Sequence, residues 1–265
     1  MAAFNLENYL ENSRKVDLSE FDFSQAREYA LTPDEIRCLE YMMDVESSTI
    51  VYLRAVLRTC IIDDPESVAF LSCWVYEEYF HGRTIREFLK ASGVEIRSDR
   101  YVQVKHNASF REWLEEMGAS LMCHLTRHFH AAYLTWGAIQ ELTTLEGYAV
   151  LASRTENPLL RTVLQRIIKD ERRHFSFYYN KARTALEASR AQRLTTLLLK
   201  KFWTPVGSGI KHDPEVDWMV HFVFGDVPGA GVARRIDSTI GRLPGLAWFN
   251  LLTEERALSL WERAG

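Results

Sequence analysis

Residues 77–81 read Glu77-Glu78-Tyr79-Phe80-His81, and residues 170–174 read Asp170-Glu171-Arg172-Arg173-His174. Each stretch holds a Glu-x-x-His, and in each the Glu and His fall on the apolar stripe of a helix. The first stripe runs Leu71, Trp74, Glu78, His81, Ile85, Phe88, and the second runs Leu160, Leu164, Ile167, Glu171, His174, Tyr178. Steps alternating between three and four are the core-facing line of a bundle helix. An ionised carboxylate on such a line is costly unless a cation compensates it. Two such motifs on two helices point to a site for two metal ions.

Two further helices each carry one charged residue on their apolar line. Leu39, Met43, Glu46, Ile50, Leu53, Leu57 and Cys60 form the first line, and Leu134, Ala138, Glu141, Leu145, Tyr148 and Ala152 the other. Counting outward from the turn at Ile62, Glu46 lies 16 residues back and Glu78 lies 16 residues on. From Glu156 the counts to Glu141 and Glu171 are both 15. All four carboxylates therefore stand roughly 22–24 Å from their turns, at one level. His81 and His174 follow one turn later on the same faces. One Glu from each of two helices and a Glu-x-x-His from each of the other two is the ligand plan of di-iron and di-manganese bundles. The donors are oxygen with imidazole, which suits iron or manganese rather than a thiolate-rich zinc site. Asp170, beside Glu171, is placed to orient His81 across the bundle. Glu146 is off the apolar line, and His124, His128 and His130 lie well below the level of Glu141, so these are expected outside the ligand set.

The rest of the chain fits an all-α, ferritin-like four-helix bundle with an N-terminal arm and additional C-terminal helices. Residues 1–31 form the arm, with aromatic pegs at Phe4, Tyr9, Phe21 and Phe23. Thr32-Pro33-Asp34-Glu35 opens the first long helix with a capping box. Pro65 opens the second, which ends near Ser92-Gly93. An extended crossover is expected to about Ser109, then a third helix from near Phe110 to Ser153, bent at Gly118. Pro158 opens the fourth, to about Ala188. The bundle thus spans 32–190, and 191–265 is a helical extension packed on it, punctuated at Pro205, Pro228-Gly229 and Pro244-Gly245. Two helix pairs joined by one long crossover is ferritin-like connectivity.

The formal charge of −4 gives no reason to expect nucleic-acid binding. Four cysteines without C-x-x-C spacing read as buried thiols of a reducing compartment. No signal peptide and no membrane span are apparent, so the expected location is cytoplasmic.

The motifs resemble those of the soluble acyl-carrier-protein desaturases. Glu77-Glu78-Tyr79-Phe80-His81-Gly82 looks like that family's E-E-x-x-H-G, Asp170–His174 like its D-E-x-R-H, and Gln140-Glu141-Leu142-Thr143-Thr144 like its Q-E-x-x-T. The resemblance covers about residues 32–190. It implies that Glu46, Glu78, His81, Glu141, Glu171 and His174 bind two irons and that Thr144 assists oxygen activation. It also implies O₂ as co-substrate, a ferredoxin-type electron donor and a fatty acyl chain on an acyl-carrier protein. Arg172, Arg173, Lys181, Arg183, Lys200 and Lys201 are basic residues that read equally as an ordinary solvated helix face or as a surface for an acidic carrier. A homodimer is expected. The C-terminal aromatics Trp203, Trp218, Phe222 and Phe224 read first as ordinary core packing, with a cover over the substrate channel or a dimer contact as the alternatives. The same scaffold could instead hydroxylate or N-oxygenate a small or carrier-bound substrate, and a non-enzymatic reading is iron storage or a structural bundle.

Overall fold

In the computed structural model the described residues are 4–57, 60–97 and 128–255. The chain enters through its arm. A short helix, α1 (Leu6–Asn12), is capped by Asn5, and two 3₁₀ turns follow, each started by an aspartate, Asp17 or Asp22, that accepts from the backbone two residues on. Thr32 then opens α2 (Pro33–Ser47). Its hydroxyl accepts from the Glu35 N–H, and the Glu35 carboxylate takes the Thr32 N–H, the reciprocal pair expected of a capping box.

The first long helix is not continuous. It breaks at Ser48, whose N–H turns back to the carbonyls of Val45 and Glu46, and resumes as α3 (Thr49–Val56). The expected apolar line fails beyond the break. Leu39, Met43, Glu46 and Leu53 are buried, but Ile50 and Leu57 are 50% and 43% exposed. Ser47, Ser48 and Thr49 are residues whose side chains compete with helical hydrogen bonding, which accounts for a break without Pro or Gly.

α4 (Pro65–Ala91) begins at the Asp64 cap and stops at Gly93, which sits at φ +90°, where a side chain would be strained. Residues 94–97 continue without regular structure. The rest of the expected crossover, the start of the third helix, Gly118 and His124 lie outside the described residues. α5 (Phe129–Arg154) and α6 (Pro158–Ala185, capped by Asn157) form the most extensive helix pair, followed by α2 with α4. α4 also meets α6, joining the two pairs. α7 (Ser189–Phe202) packs on α5, and α8 (Asp213–Phe224) and α9 (Val227–Ile240) close over the side of α2 and α5. Among the described residues there is no strand, only one bridge between Ser208 and Lys211, so the architecture is an all-α, ferritin-like bundle. Among them, too, no helix is long and apolar enough to cross a membrane.

The bundle interior is two apolar cores with a polar layer between them. One holds Leu53, Phe70, Trp74, Leu134, Ala138, Phe177 and Tyr178, and the other holds Leu39, Met43, Ile85, Phe88, Leu151, Leu164 and Ile167. On each of the four long segments the line passes from one core through glutamate, or glutamate and histidine, into the other. Burying one large apolar side chain stabilises by roughly 1.5–3 kcal/mol. A layer of carboxylates in the same place forgoes that gain and adds a desolvation cost, so it calls for a compensating partner.

Candidate metal centre

Six side chains converge in the polar layer. Glu46, Glu78, His81 and Glu171 present atoms within 4.8 Å of one another, and so do Glu78, Glu141, Glu171 and His174. Glu78 and Glu171 belong to both groups, so each could serve either of two ion positions. All six are buried, with His81, Glu171 and His174 at zero exposure. These are the six residues that the sequence pattern picks out, and the fold brings them together.

Each imidazole is oriented from outside the cluster. His81 Nε2 lies 3.2 Å from Asp170 Oδ2, and His174 Nε2 lies 2.8 Å from Glu77 Oε2. An ionised carboxylate only accepts, so each Nε2 carries a proton and each Nδ1 is the atom turned toward the cluster, a lone-pair donor once its own proton is displaced. His81 Nδ1 faces Glu171 at 3.0 Å, and His174 Nδ1 faces Glu78 at 2.9 Å. The wiring is crossed. The residue before each motif glutamate holds the histidine of the other motif. Asp170 occupies the place the sequence suggests; Glu77 is the partner that it missed. The signal was present as symmetry, since Glu77 stands to Glu78 as Asp170 stands to Glu171.

Arg173 ties the two holders together, its Nη2 lying 2.8 Å from Glu77 and 2.6 Å from Asp170, and Arg166 adds a 2.6 Å bond to Asp170. Arg173 is thus turned inward rather than toward a partner. Lys181 is likewise paired with Asp64 and Glu66. On the other side of the cluster Tyr148 donates to Glu46 Oε1 at 2.5 Å. Glu146 points elsewhere, pairing with Arg235 at 3.1 Å. His128 and His130 stand at the start of α5, 13 and 11 residues before Glu141 and so on the order of 16–20 Å below it, outside both groups.

The electrostatics are those of a charged site short of counter-charge. Burial, then the Glu46 and Glu171 charges, push Glu78 well above the ordinary carboxylate range, and burial with Glu171 raises Glu141. Glu171 is held low: burial opposes this, but the two histidines that face it outweigh it. Burial would lower the histidines, yet their carboxylate neighbours hold both well above the ordinary range.

A metal pair fits these residues. Glu46 Oε2, Glu78 Oε1, both oxygens of Glu171 and the Nδ1 atoms of His81 and His174 are buried without a hydrogen-bond partner. Buried polar atoms are nearly always satisfied, and these six unpartnered atoms, among others in the protein, face one another. Four ionised carboxylates, with the two imidazoles freed of their Nδ1 protons, also carry the charge that two divalent cations balance.

Thr144 lies one turn beyond Glu141 and, with Glu46, lines a cavity between the bundle and the C-terminal helices. The cavity has a volume of about 60 Å³ and opens to solvent, and its wall is otherwise mostly apolar: Met42 and Val45 from α2, Val216, Met219, Val220, Val223 and Phe224 from α8, and Leu252. It follows that α8 serves as a cavity wall.

No curated protein and no solved structure matches the chain. The family model described as fatty acid desaturase matches residues 50–205, more than half of the chain, and that span contains both Glu-x-x-His motifs, Glu141 and Thr144. With two buried Glu/His groups able to hold metal ions at the junction of four helices, and with that match, the chain belongs to the fatty acid desaturase family.

Proposed function

We propose that the protein is a di-iron, O₂-dependent desaturase that removes two hydrogens from a fatty acyl chain delivered on an acyl-carrier protein. The observation that carries the acyl chain is the cavity: an apolar space whose wall includes one candidate ligand, Glu46, and the threonine one turn beyond another. A hydrocarbon segment in that space would lie against the polar layer with its neighbours excluding water.

Glu46, Glu78, His81 and Glu171 would hold one iron and Glu78, Glu141, Glu171 and His174 the other. When bound, the irons supply the O₂ activation and one-electron chemistry that an unactivated carbon chain requires. The chain's own residues do the rest. Asp170 and Glu77 fix the imidazole tautomers, and Tyr148 holds Glu46 beside the cavity. Thr144, on the cavity wall, would hold or pass a proton there. The overall balance is two hydrogens lost from the chain, with O₂, two protons and two electrons from a ferredoxin-type donor yielding two waters.

The test uses iron-loaded protein, reduced ferredoxin, O₂ and acyl-carrier thioesters of graded length, read by product mass. Loss of two hydrogens supports the proposal. A gain of one oxygen would reassign the reaction to hydroxylation, and thioesters of every length left unchanged would overturn it.

A further inference from the structure

Tyr9 belongs to α1 in the N-terminal arm, 68 residues from the motif it touches, and it is 1% exposed. Its hydroxyl donates to Glu77 Oε2 at 2.8 Å, the same oxygen that takes the Nε2 proton of His174. The arm adds two more ties at this spot. The Arg14 N–H donates to Glu77 Oε1 at 3.2 Å, and Arg173, already on Glu77, donates to the Asn12 carbonyl at 3.1 Å. Aromatic contacts seat the arm: Phe4 against Phe70 and Phe177, and Tyr9 against Phe70 and edge-on to His174.

The arm treats the two ion positions differently. Asp170, which holds His81, receives Arg166 and Arg173 and, among the described residues, no hydrogen bond from the arm; Glu20 of the arm stands 3.9 Å from Arg166. Glu77, which holds His174, receives an arm hydroxyl and an arm N–H directly. A carboxylate oxygen bound by two donors cannot rotate without breaking one of them. With its hydroxyl in place, Tyr9 fixes the acceptor against which the His174 ring is aligned.

We propose that Tyr9 is a positioning residue that completes one metal position and not the other, acting through Glu77 on His174. The arm is then a structural part of the centre. This rests on the reading of the six-residue cluster as a two-metal site.

The experiment is an anaerobic titration of the full-length metal-free chain with Co²⁺, whose visible spectrum reports its ligands, in wild type, Tyr9→Phe, Asp170→Asn, Glu77→Gln and the pairwise combinations. Tyr9→Phe keeps the ring and its packing, so the fold is expected to persist. The wild type should take two ions. Tyr9→Phe should loosen one of them by about tenfold, the low end for a partner outside the ligands. Combined with Asp170→Asn it should loosen both, and in a Glu77→Gln background it should add nothing, since the two act through one bond. Two affinities in Tyr9→Phe equal to wild type would overturn the proposal. So would an equal loosening of both ions together with a lower melting temperature, or full additivity with Glu77→Gln. A wild-type chain that binds no pair of ions would remove the metal reading itself, and the proposal with it.

Discussion

Glu77 and Asp170, 93 positions apart, share one guanidinium: Arg173 Nη2 lies 2.8 Å from the first and 2.6 Å from the second. Both carboxylates are essentially without solvent contact. Without Arg173, Asp170 keeps Arg166 and His81 and Glu77 keeps Tyr9, Arg14 and His174, so the loss is that of hydrogen bonds to charged groups, about 1.5–3 kcal/mol. Arg173→Met is therefore expected to lower stability by that order in denaturant unfolding. It should also weaken both metal ions rather than one, which distinguishes it from changes at Asp170 or Glu77.

Gly82 follows His81 directly and lets α4 approach α2 at the level of the centre. A Cβ there would lie 2.6 Å from Ser47 Oγ, 3.1 Å from Ser47 N and 3.2 Å from Glu46 Cβ. The hydroxyl can rotate away, but the backbone and Glu46 must move. Gly82→Ala is expected to cost about 1–3 kcal/mol and to displace Glu46 from its partners. Thermal unfolding together with metal titration checks this; unchanged values in both would mean that the helices part at no cost.

Val220 is 6% exposed and lies on the α8 wall of the cavity. If the acyl chain occupies this space, Val220→Phe should shift the preference toward shorter chains while leaving metal content at the wild-type level. Relative kcat/KM across a length series measures it. An unaltered length profile would place the chain elsewhere.

Asp170 is held far below the ordinary carboxylate range: burial opposes this, but His81, Arg173 and Arg166 outweigh it. A depressed folded-state value means that the contribution to stability is complete above the unfolded value, about pH 4. It is then lost as pH falls toward the folded value. The metal-free protein should lose stability steeply below about pH 4, and Asp170→Asn should flatten that acid limb while lowering stability at neutral pH. Urea midpoints across this range provide the measurement; parallel curves for the two proteins would contradict the assignment.

The centre was legible in the sequence because charge and period disagree there. A glutamate in the phase of leucines is an anomaly on any one helix, and four at one height narrow the explanation to a shared ligand. What stayed hidden depends on contacts between distant segments. Glu77 is off the apolar line of α4, and local spacing says nothing of the arm that covers it. Tyr9 lies in a helix of only seven residues, too short for periodicity to reveal its inward face. The interruption at Ser48 carries no Pro or Gly to announce it. Val216 and Val220 read as ordinary core, and only the packing of α8 on α2 and α5 makes them a wall.

That interruption has a bearing on Glu46. It places this glutamate in the last turn of α2, where the carbonyl ends of the helix gather partial negative charge. A carboxylate there is opposed by its own helix, by about 0.3–1 kcal/mol for an exposed group. Of the four glutamates in the layer, Glu46 is the one at a helix end, and it is also the one that borders the cavity. Its hold is therefore external: the Tyr148 hydroxyl on one oxygen and, on the other, whatever cation the site contains. The side chain between cavity and centre is the one that its local backbone retains least.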